Sequence, residues 1–235
     1  MKILPPWQIA LPVMAAAGAA GVGLAAFVHR DRPGPHYTLP ERLGDFDYLF
    51  HPGESAGVVV ALHDHGSTPQ EILDAASSSK LSVVAPWARE GYVWFSPGGE
   101  GPGGAPMPAS AEDAAAELVT MLEDLRDAWP GNVYIAGHGA GADVAYALAA
   151  DARPGLAQKV IGSSGRLPSG PVVTPTLAIH GRNDARVPYQ PFADAAAQRV
   201  SQGEPLSIVP LTNVTGSFTG ALLLRWIKAL QRLAT

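Results

Sequence analysis

Two stretches of the chain hold side chains that could do chemistry. The first is His63-Asp64-His65-Gly66, in which two imidazoles flank a carboxylate. A His-x-His pair can ligate a metal, because alternate residues of a loop at a strand end can converge on one ion. No third or fourth ligand stands nearby at a recognised metal spacing. The sequence therefore favours a polar loop at a sheet edge and indicates neither a metal nor a cofactor.

The second stretch is Ser163-Ser164, whose hydroxyls could act as nucleophiles if a base activated them. No base stands nearby in the sequence, so hydrogen bonding at a strand end is the favoured role. The chain contains no cysteine, which excludes thiol catalysis, disulfides and zinc–thiolate sites.

Short apolar runs alternate with helical patterns, and this alternation predicts the elements that position those side chains. Thr68-Pro69 with Glu71 is typical of a helix N-terminus, and Ser110 opens a long amphipathic helix. Strands joined by helices imply an α/β fold with a mostly parallel sheet covered on both faces. The predicted strands are Val58–Leu62, Ser82–Pro86, Val133–Ala136, Lys159–Gly162, Thr176–His180 and Leu206–Val209, and the later predicted helices are Ala140–Ala150, Tyr189–Ser201 and Phe218–Leu233.

Length and charge exclude several classes of function. The 235 residues allow one ordinary domain with a sizeable core. A formal charge of −5 argues against nucleic-acid binding, because no basic field is available to neutralise phosphates. The glycine-rich loop 98–104 lacks the Gly-Lys-Ser/Thr ending of a phosphate-binding loop, which argues against a nucleotide.

Three motifs carry a resemblance to a known family. Val133–Gly141 runs from a strand through Gly137-His138-Gly139-Ala140-Gly141 into an Ala-rich helix, and it resembles the nucleophile elbow Gly-x-Ser-x-Gly of the α/β-hydrolases. Thr176–Asp184, with Val187-Pro188 after it, resembles the strand and loop that carry the acid of that fold. Val160–Gly165 resembles the intervening strand of the phospholipase/carboxylesterase branch. The resemblance covers roughly His36 to Thr235 and implies an α/β-hydrolase-like sheet.

The chain departs from the family pattern at the catalytic positions. The resemblance implies a serine at the elbow centre, where this chain has Gly139, and an acid on the later loop, where it has Asp184. It also implies a histidine before the last helix, where Gly216 or a close neighbour stands, and no histidine follows His180. We expect no catalytic residue at these vestigial positions. The oxyanion loop comprises His63, Asp64, His65 and Gly66. It is also predicted to be vestigial, because the negative charge of its aspartate would oppose stabilisation of an oxyanion.

Structural roles can be assigned to the residues that remain. Asp184 could orient His138 or His180, or pair with an arginine of its own loop, Arg182 or Arg186. A glycine at the elbow centre relieves the strain of a tight turn, because it accepts unusual backbone angles at little steric cost.

The N-terminal segment is predicted to be a membrane element. Ile9–Val28 is an unbroken run of 20 apolar residues, which is long enough to cross a bilayer core of roughly 30 Å as a helix. A secretory signal cleaved near Ala17-Gly18-Ala19 is the alternative. The predicted organisation is an anchor or signal segment at residues 1–32, a Pro/Gly linker at 33–40 and the α/β-hydrolase-like domain at 41–235.

Small residues repeat every four positions along this segment and would let helix backbones approach closely in lipid. We therefore expect partners among other transmembrane helices, and a domain that is extracytoplasmic, although the flanking charges slightly favour the cytoplasm. The repeating residues are Ala15, Ala19 and Gly23 on one line and Ala17, Gly21 and Ala25 on another.

Three functions follow from these observations. The main hypothesis is a catalytically degenerate hydrolase-like domain on a single transmembrane helix, acting as an accessory or structural subunit of a membrane complex. The first alternative is a hydrolase of small esters or acyl lipids that uses non-standard groups. The second is a ligand-binding module that reuses the pocket.

Overall fold

The structure is a computed structural model that describes residues 39–88, 92–151, 153 and 155–234. Within this part of the chain, seven strands form one sheet in the order β1-β3-β2-β4-β5-β6-β7. The strands are β1 (Tyr48–His51), β2 (Val58–Leu62), β3 (Ser82–Pro86), β4 (Val133–His138), β5 (Lys159–Ser163), β6 (Thr176–Gly181) and β7 (Leu206–Leu211). Strand β1 is antiparallel to β3, and all the other pairs are parallel.

Five α-helices connect the strands and cover both faces of the sheet. Their bounds are α1 (Pro69–Ser77), α2 (Ala111–Ala128), α3 (Ala140–Ala149), α4 (Tyr189–Ser201) and α5 (Gly220–Gln231), with a short 3-10 turn at Pro102–Gly104. The predicted α/β class and mostly parallel sheet are confirmed. Edge strand β1 was not predicted, because its four half-buried residues show neither alternation nor a buried apolar run.

The core consists of two apolar layers, one on each face of the sheet. Successive side chains of a strand point to opposite faces, so Val58 and Val60 pack in one layer and Val59 in the other. The first layer includes Leu122 and the other apolar side chains of α2 and α3. The second layer includes Trp226 of α5, beside α1.

Side-chain caps start the two helices whose N-termini were predicted. Thr68 Oγ1 accepts a hydrogen bond from the Glu71 N–H at 3.3 Å, and Ser110 Oγ accepts one from the Asp113 N–H at 3.1 Å. Each cap satisfies one of the backbone donors that the first helical turn leaves unpaired.

The turn from β4 to α3 consists of one residue, Gly139, with φ 59° and ψ −121°. The two glycines beside it allow a close backbone approach. A Cβ atom on Gly137 would lie 2.2 Å from the Gly141 carbonyl oxygen, and one on Gly141 would lie 2.2 Å from the Leu62 carbonyl oxygen. Helix α3 therefore packs directly against the end of β2, and that packing places the turn beside the loop that follows β2.

We predict that Gly141→Ala destabilises the protein, although alanine favours helix by about 1 kcal/mol over glycine. The added Cβ would overlap a backbone oxygen that cannot rotate away, so the expected loss is about 1–3 kcal/mol in the free energy of unfolding, measured by urea denaturation. Gly170→Ala is the matched control, since its Cβ would meet its nearest atom at 3.9 Å. Equal stability of the two variants would contradict the close-approach argument.

Candidate functional site

The candidate site lies where the carboxyl ends of the parallel strands meet, the usual place for a site in an open α/β sheet. The loops after β2 and β6, the end of β4, the loop before α5, and helices α1 and α5 line a pocket of about 980 Å³. Its charged and imidazole side chains are those of His63, Asp64, His65, Glu71, Asp74, His138, Asp184 and Arg186. Its apolar side chains are those of Ile72, Ala75, Ala185, Phe218, Leu223 and Ile227, and Ser67, Ser78, Asn183, Thr215, Gly216 and Ser217 complete the lining.

Asp64 occupies the space that a side chain at the elbow centre would need. A Cβ atom on Gly139 would lie 1.9 Å from Asp64 Oδ1. The same oxygen accepts hydrogen bonds from the backbone N–H of Ala140 at 2.6 Å and of His65 at 2.8 Å. Since Ala140 begins α3, the positive end of the helix dipole also stabilises the carboxylate. Asp64 is thus held in the pocket wall by backbone donors, with its side chain 30% exposed.

His138 lies next to Asp64 and is almost completely buried. Its Nε2 is 3.9 Å from Asp64 Oδ2, and its Nδ1 is 2.9 Å from Ser163 Oγ. Phe218 stacks on the imidazole with the ring centres 4.3 Å apart. Burial lowers the pKa of His138 to about 4, and the nearby Asp64 carboxylate opposes that shift only in part. The imidazole is therefore neutral at neutral pH.

Arg186 supplies a positive charge to the same pocket. One guanidinium nitrogen donates to the Ser164 carbonyl oxygen, and another lies 4.0 Å from Asp64 Oδ1. Its side chain is 39% exposed, so part of the guanidinium faces solvent in the pocket. The site therefore combines a carboxylate, a neutral imidazole and a guanidinium in the lining of one pocket, with the imidazole and the guanidinium each within about 4 Å of the Asp64 carboxylate.

Asp184 is positioned by its own loop. Its Oδ1 accepts hydrogen bonds from the backbone N–H groups of Arg186 and Val187, both at 2.9 Å, and its Oδ2 lies 3.7 Å from His180 Nε2. A Cβ atom on Gly216 would lie 2.5 Å from Asp184 Oδ2. The structure thus brings the two predicted positions Asp184 and Gly216 together. Two histidines, His138 and His180, were predicted as partners of Asp184, and His180 lies 3.7 Å from its carboxylate.

The loop after β2, residues 63–66, is fixed by a tryptophan that sequence reasoning did not assign to it. Trp94 Nε1 donates to the His63 carbonyl oxygen at 2.8 Å, and its ring packs 4.9 Å from the His63 ring. His63 is fully buried and His65 is exposed, so the two imidazoles point to different environments. In the described residues no three potential ligands form a metal site.

Ser163 and Ser164 differ in their surroundings. Ser163 contacts His138, a base that is remote in sequence and adjacent in space, and its side chain is fully buried. Ser164 is also buried, and it adopts a left-handed backbone with φ 55°. Of the two serines, Ser163 thus has the predicted hydrogen-bonding role. Its partner, His138, is close only in the folded structure.

Comparison with solved structures identifies the fold. Esterase PE8 superposes with a TM-score of 0.66 at 21% identity, over 81% of this chain and 99% of that one. The carboxylesterase from Mesorhizobium loti gives 0.63 at 18% identity, over 82% and 97%, and that of Bacillus cereus gives 0.65 at 14% identity, over 82% and 96%. No protein-family model and no curated protein sequence matches the chain. The chain has the α/β-hydrolase fold of carboxylesterase-type proteins.

The prediction of a membrane-anchored accessory subunit with an extracytoplasmic domain is wrong. The fold is that of esterases along nearly their whole length, and no helix in the described part of the chain is long and apolar enough to cross a bilayer. In the sequence Asp64 is only a negative charge beside the predicted oxyanion position, whereas folding places it with His138 and Arg186 in one pocket.

The apolar segment itself lies outside the described residues. The predicted helix contacts through Ala15, Ala19 and Gly23, and through Ala17, Gly21 and Ala25, lie there too and stay a prediction.

We predict that His138 makes the protein less stable as the pH falls from 7 to 5. Its pKa is 6.5 when unfolded and about 4 when folded, so the unfolded state binds a proton first and stability is lost progressively below pH 6.5. The free energy of unfolding should fall by about 2 kcal/mol more in the wild type than in His138→Gln, measured by urea denaturation at each pH. Burial raises the pKa of Asp143 to about 6, which has the opposite effect, but both proteins share it. Equal pH slopes would contradict the neutral, buried imidazole.

Proposed function

We propose that this protein is a hydrolase of small carboxylic esters in which the Asp64 carboxylate acts as a general base on water, in place of a serine nucleophile at the elbow. The observation that carries the proposal is the position of Asp64. Its carboxylate fills the place of a side chain on the elbow residue Gly139 and faces the pocket beside His138 and Arg186. Esterase names among the solved structures of the same fold support the reaction class.

The chemistry runs through water, because glycine at the elbow carries no nucleophile. Asp64 Oδ2 takes a proton from a water molecule while the water oxygen forms a bond to the ester carbonyl carbon. The negative charge that develops on the carbonyl oxygen is stabilised by the Arg186 guanidinium. The bond from carbon to the alcohol oxygen then breaks, the alcohol takes the proton back from Asp64, and a carboxylic acid and an alcohol leave.

The pocket indicates which esters fit. Asp64, His138 and Arg186 line one part of it, and α1 and α5 line another with the apolar side chains Ile72, Leu223 and Ile227 and the carboxylates of Glu71 and Asp74. A volume of about 980 Å³ suits a small organic ligand with an apolar portion. In this proposal the Gly139, Asp184 and Gly216 positions carry no catalytic group, and Asp184 holds its loop.

We predict that Asp64→Ala lowers kcat for p-nitrophenyl butyrate by at least about 100-fold, the usual effect of removing a general base. Added formate should restore part of the rate in this variant, with saturation, because a free carboxylate can occupy the space that Asp64 leaves beside the Ala140 N–H. The full-length protein is assayed with Asp194→Ala, an exposed carboxylate of α4, as the control.

Two results would refute the assignment of Asp64. The first is a wild-type protein with no turnover of any short-chain ester. The second is an Asp64→Ala variant that retains the wild-type rate.

We predict that Gly139→Ala inactivates the enzyme as strongly as Asp64→Ala does. The new Cβ would overlap Asp64 Oδ1 and push the carboxylate away from the Ala140 N–H. Because both changes remove one interaction, the double variant should be no less active than either single variant, which a double-mutant cycle measures. Gly203→Ala is the control for backbone strain alone, since Gly203 has φ 85° and no atom near its Cβ position. Additive losses in the cycle would show that Gly139 acts independently of Asp64.

A further inference from the structure

We propose that Ser163 is a positioning residue that fixes the tautomer of His138, so that Nε2 carries the ring hydrogen towards Asp64 and the pocket. The inference rests on the proposed function for its kinetic consequence. Its structural content, the location of one hydrogen atom, can be tested without any activity.

The geometry leaves Ser163 and His138 little freedom. Both side chains are buried, and Ser163 Oγ lies 2.9 Å from His138 Nδ1. The stacked Phe218 ring holds the plane of the imidazole. The other acceptor near the hydroxyl is the Gly137 carbonyl oxygen, at 3.5 Å, which is the outer limit of a hydrogen bond. The short contact to His138 therefore dominates the orientation of the hydroxyl.

Electrostatics then selects one of the two neutral tautomers. Asp64 Oδ2 lies 3.9 Å from Nε2, so a lone pair on Nε2 would face a carboxylate, whereas an N–H group there is attracted by it. With hydrogen on Nε2, Nδ1 carries the lone pair and accepts from the Ser163 hydroxyl. In this arrangement the Ser163 O–H donates to Nδ1 and the Nε2–H points towards Asp64. In the opposite tautomer Nδ1–H would donate to Ser163, the hydroxyl would be left with the Gly137 carbonyl oxygen at 3.5 Å, and the Nε2 lone pair would face the carboxylate.

This tautomer assigns His138 the role of a hydrogen-bond donor in the reaction. The N–H groups of Ala140 and His65 already hold Asp64 Oδ1, so they are occupied when charge develops on the substrate. The Nε2–H of His138 is the next donor beside the carboxylate, and together with Arg186 it can stabilise the carbonyl oxygen. A neutral imidazole keeps its hydrogen through this step, while Asp64 carries the water proton.

Nitrogen NMR of the histidine-labelled full chain tests the tautomer directly. We expect His138 in the wild type to show a protonated Nε2 and an unprotonated Nδ1, and Ser163→Ala to show a mixture of both tautomers. Ser82→Ala is the matched control: Ser82 is also a buried serine, but it begins β3, at the opposite end of the sheet from the pocket, and its removal should leave the His138 signals unchanged. A wild-type His138 with hydrogen on Nδ1 would overturn the proposal.

The kinetic test uses the same variants on p-nitrophenyl butyrate. Ser163→Ala should lower kcat about tenfold with KM unchanged, the effect expected when one hydrogen bond of about 1.4 kcal/mol is lost from the transition state. Ser163→Cys, a weaker donor of similar size, should lie between Ser163→Ala and the wild type, and Ser82→Ala should match the wild type. An unchanged kcat in Ser163→Ala would overturn the catalytic consequence. A wild type without turnover would refute the proposed function and leave the NMR result to decide the tautomer.

Discussion

The hydrogen bond from the Ala140 N–H to Asp64 Oδ1 is the interaction on which the candidate site depends. It joins the first residue of α3 to the loop after β2 at 2.6 Å, and it forms because no side chain on Gly139 stands between them. Backbone donors at a helix N-terminus are a natural place for an anion. In this protein the anion is a side chain of the same chain, so one carboxylate both completes the wall of the pocket and faces into it.

Close packing of the backbone at the elbow makes that bond possible. Gly137 and Gly141 let α3 approach the ends of β4 and β2 until their backbone atoms are in contact. This packing is a requirement of the fold and is independent of whether the central residue carries a nucleophile. The elbow geometry therefore persists with Gly139, whose left-handed backbone angle is acceptable for glycine and costly for most other residues.

The negative charge of Asp64 lies about 4 Å from the positive charge of Arg186. Asp64 lies between the His138 imidazole and the Arg186 guanidinium, and burial keeps the imidazole neutral while the guanidinium stays partly exposed. A neutral donor and a permanent cation beside one carboxylate suit a reaction in which a proton is taken from water and negative charge appears on a neighbouring oxygen.

The sequence by itself determined the fold class, because strand runs such as Val58–Leu62 and capped helix starts such as Thr68 are local patterns that burial and backbone hydrogen bonding enforce. It also marked the elbow and the loop after β2. Only the tertiary structure decided how Asp64, His138 and Ser163 relate, since Asp64 follows β2, His138 ends β4 and Ser163 ends β5. These positions are remote in sequence and meet only because the parallel strands align their carboxyl ends. Edge strand β1 likewise could be identified only in the structure, because its pairing with β3 defines it and its own four residues show no strand pattern.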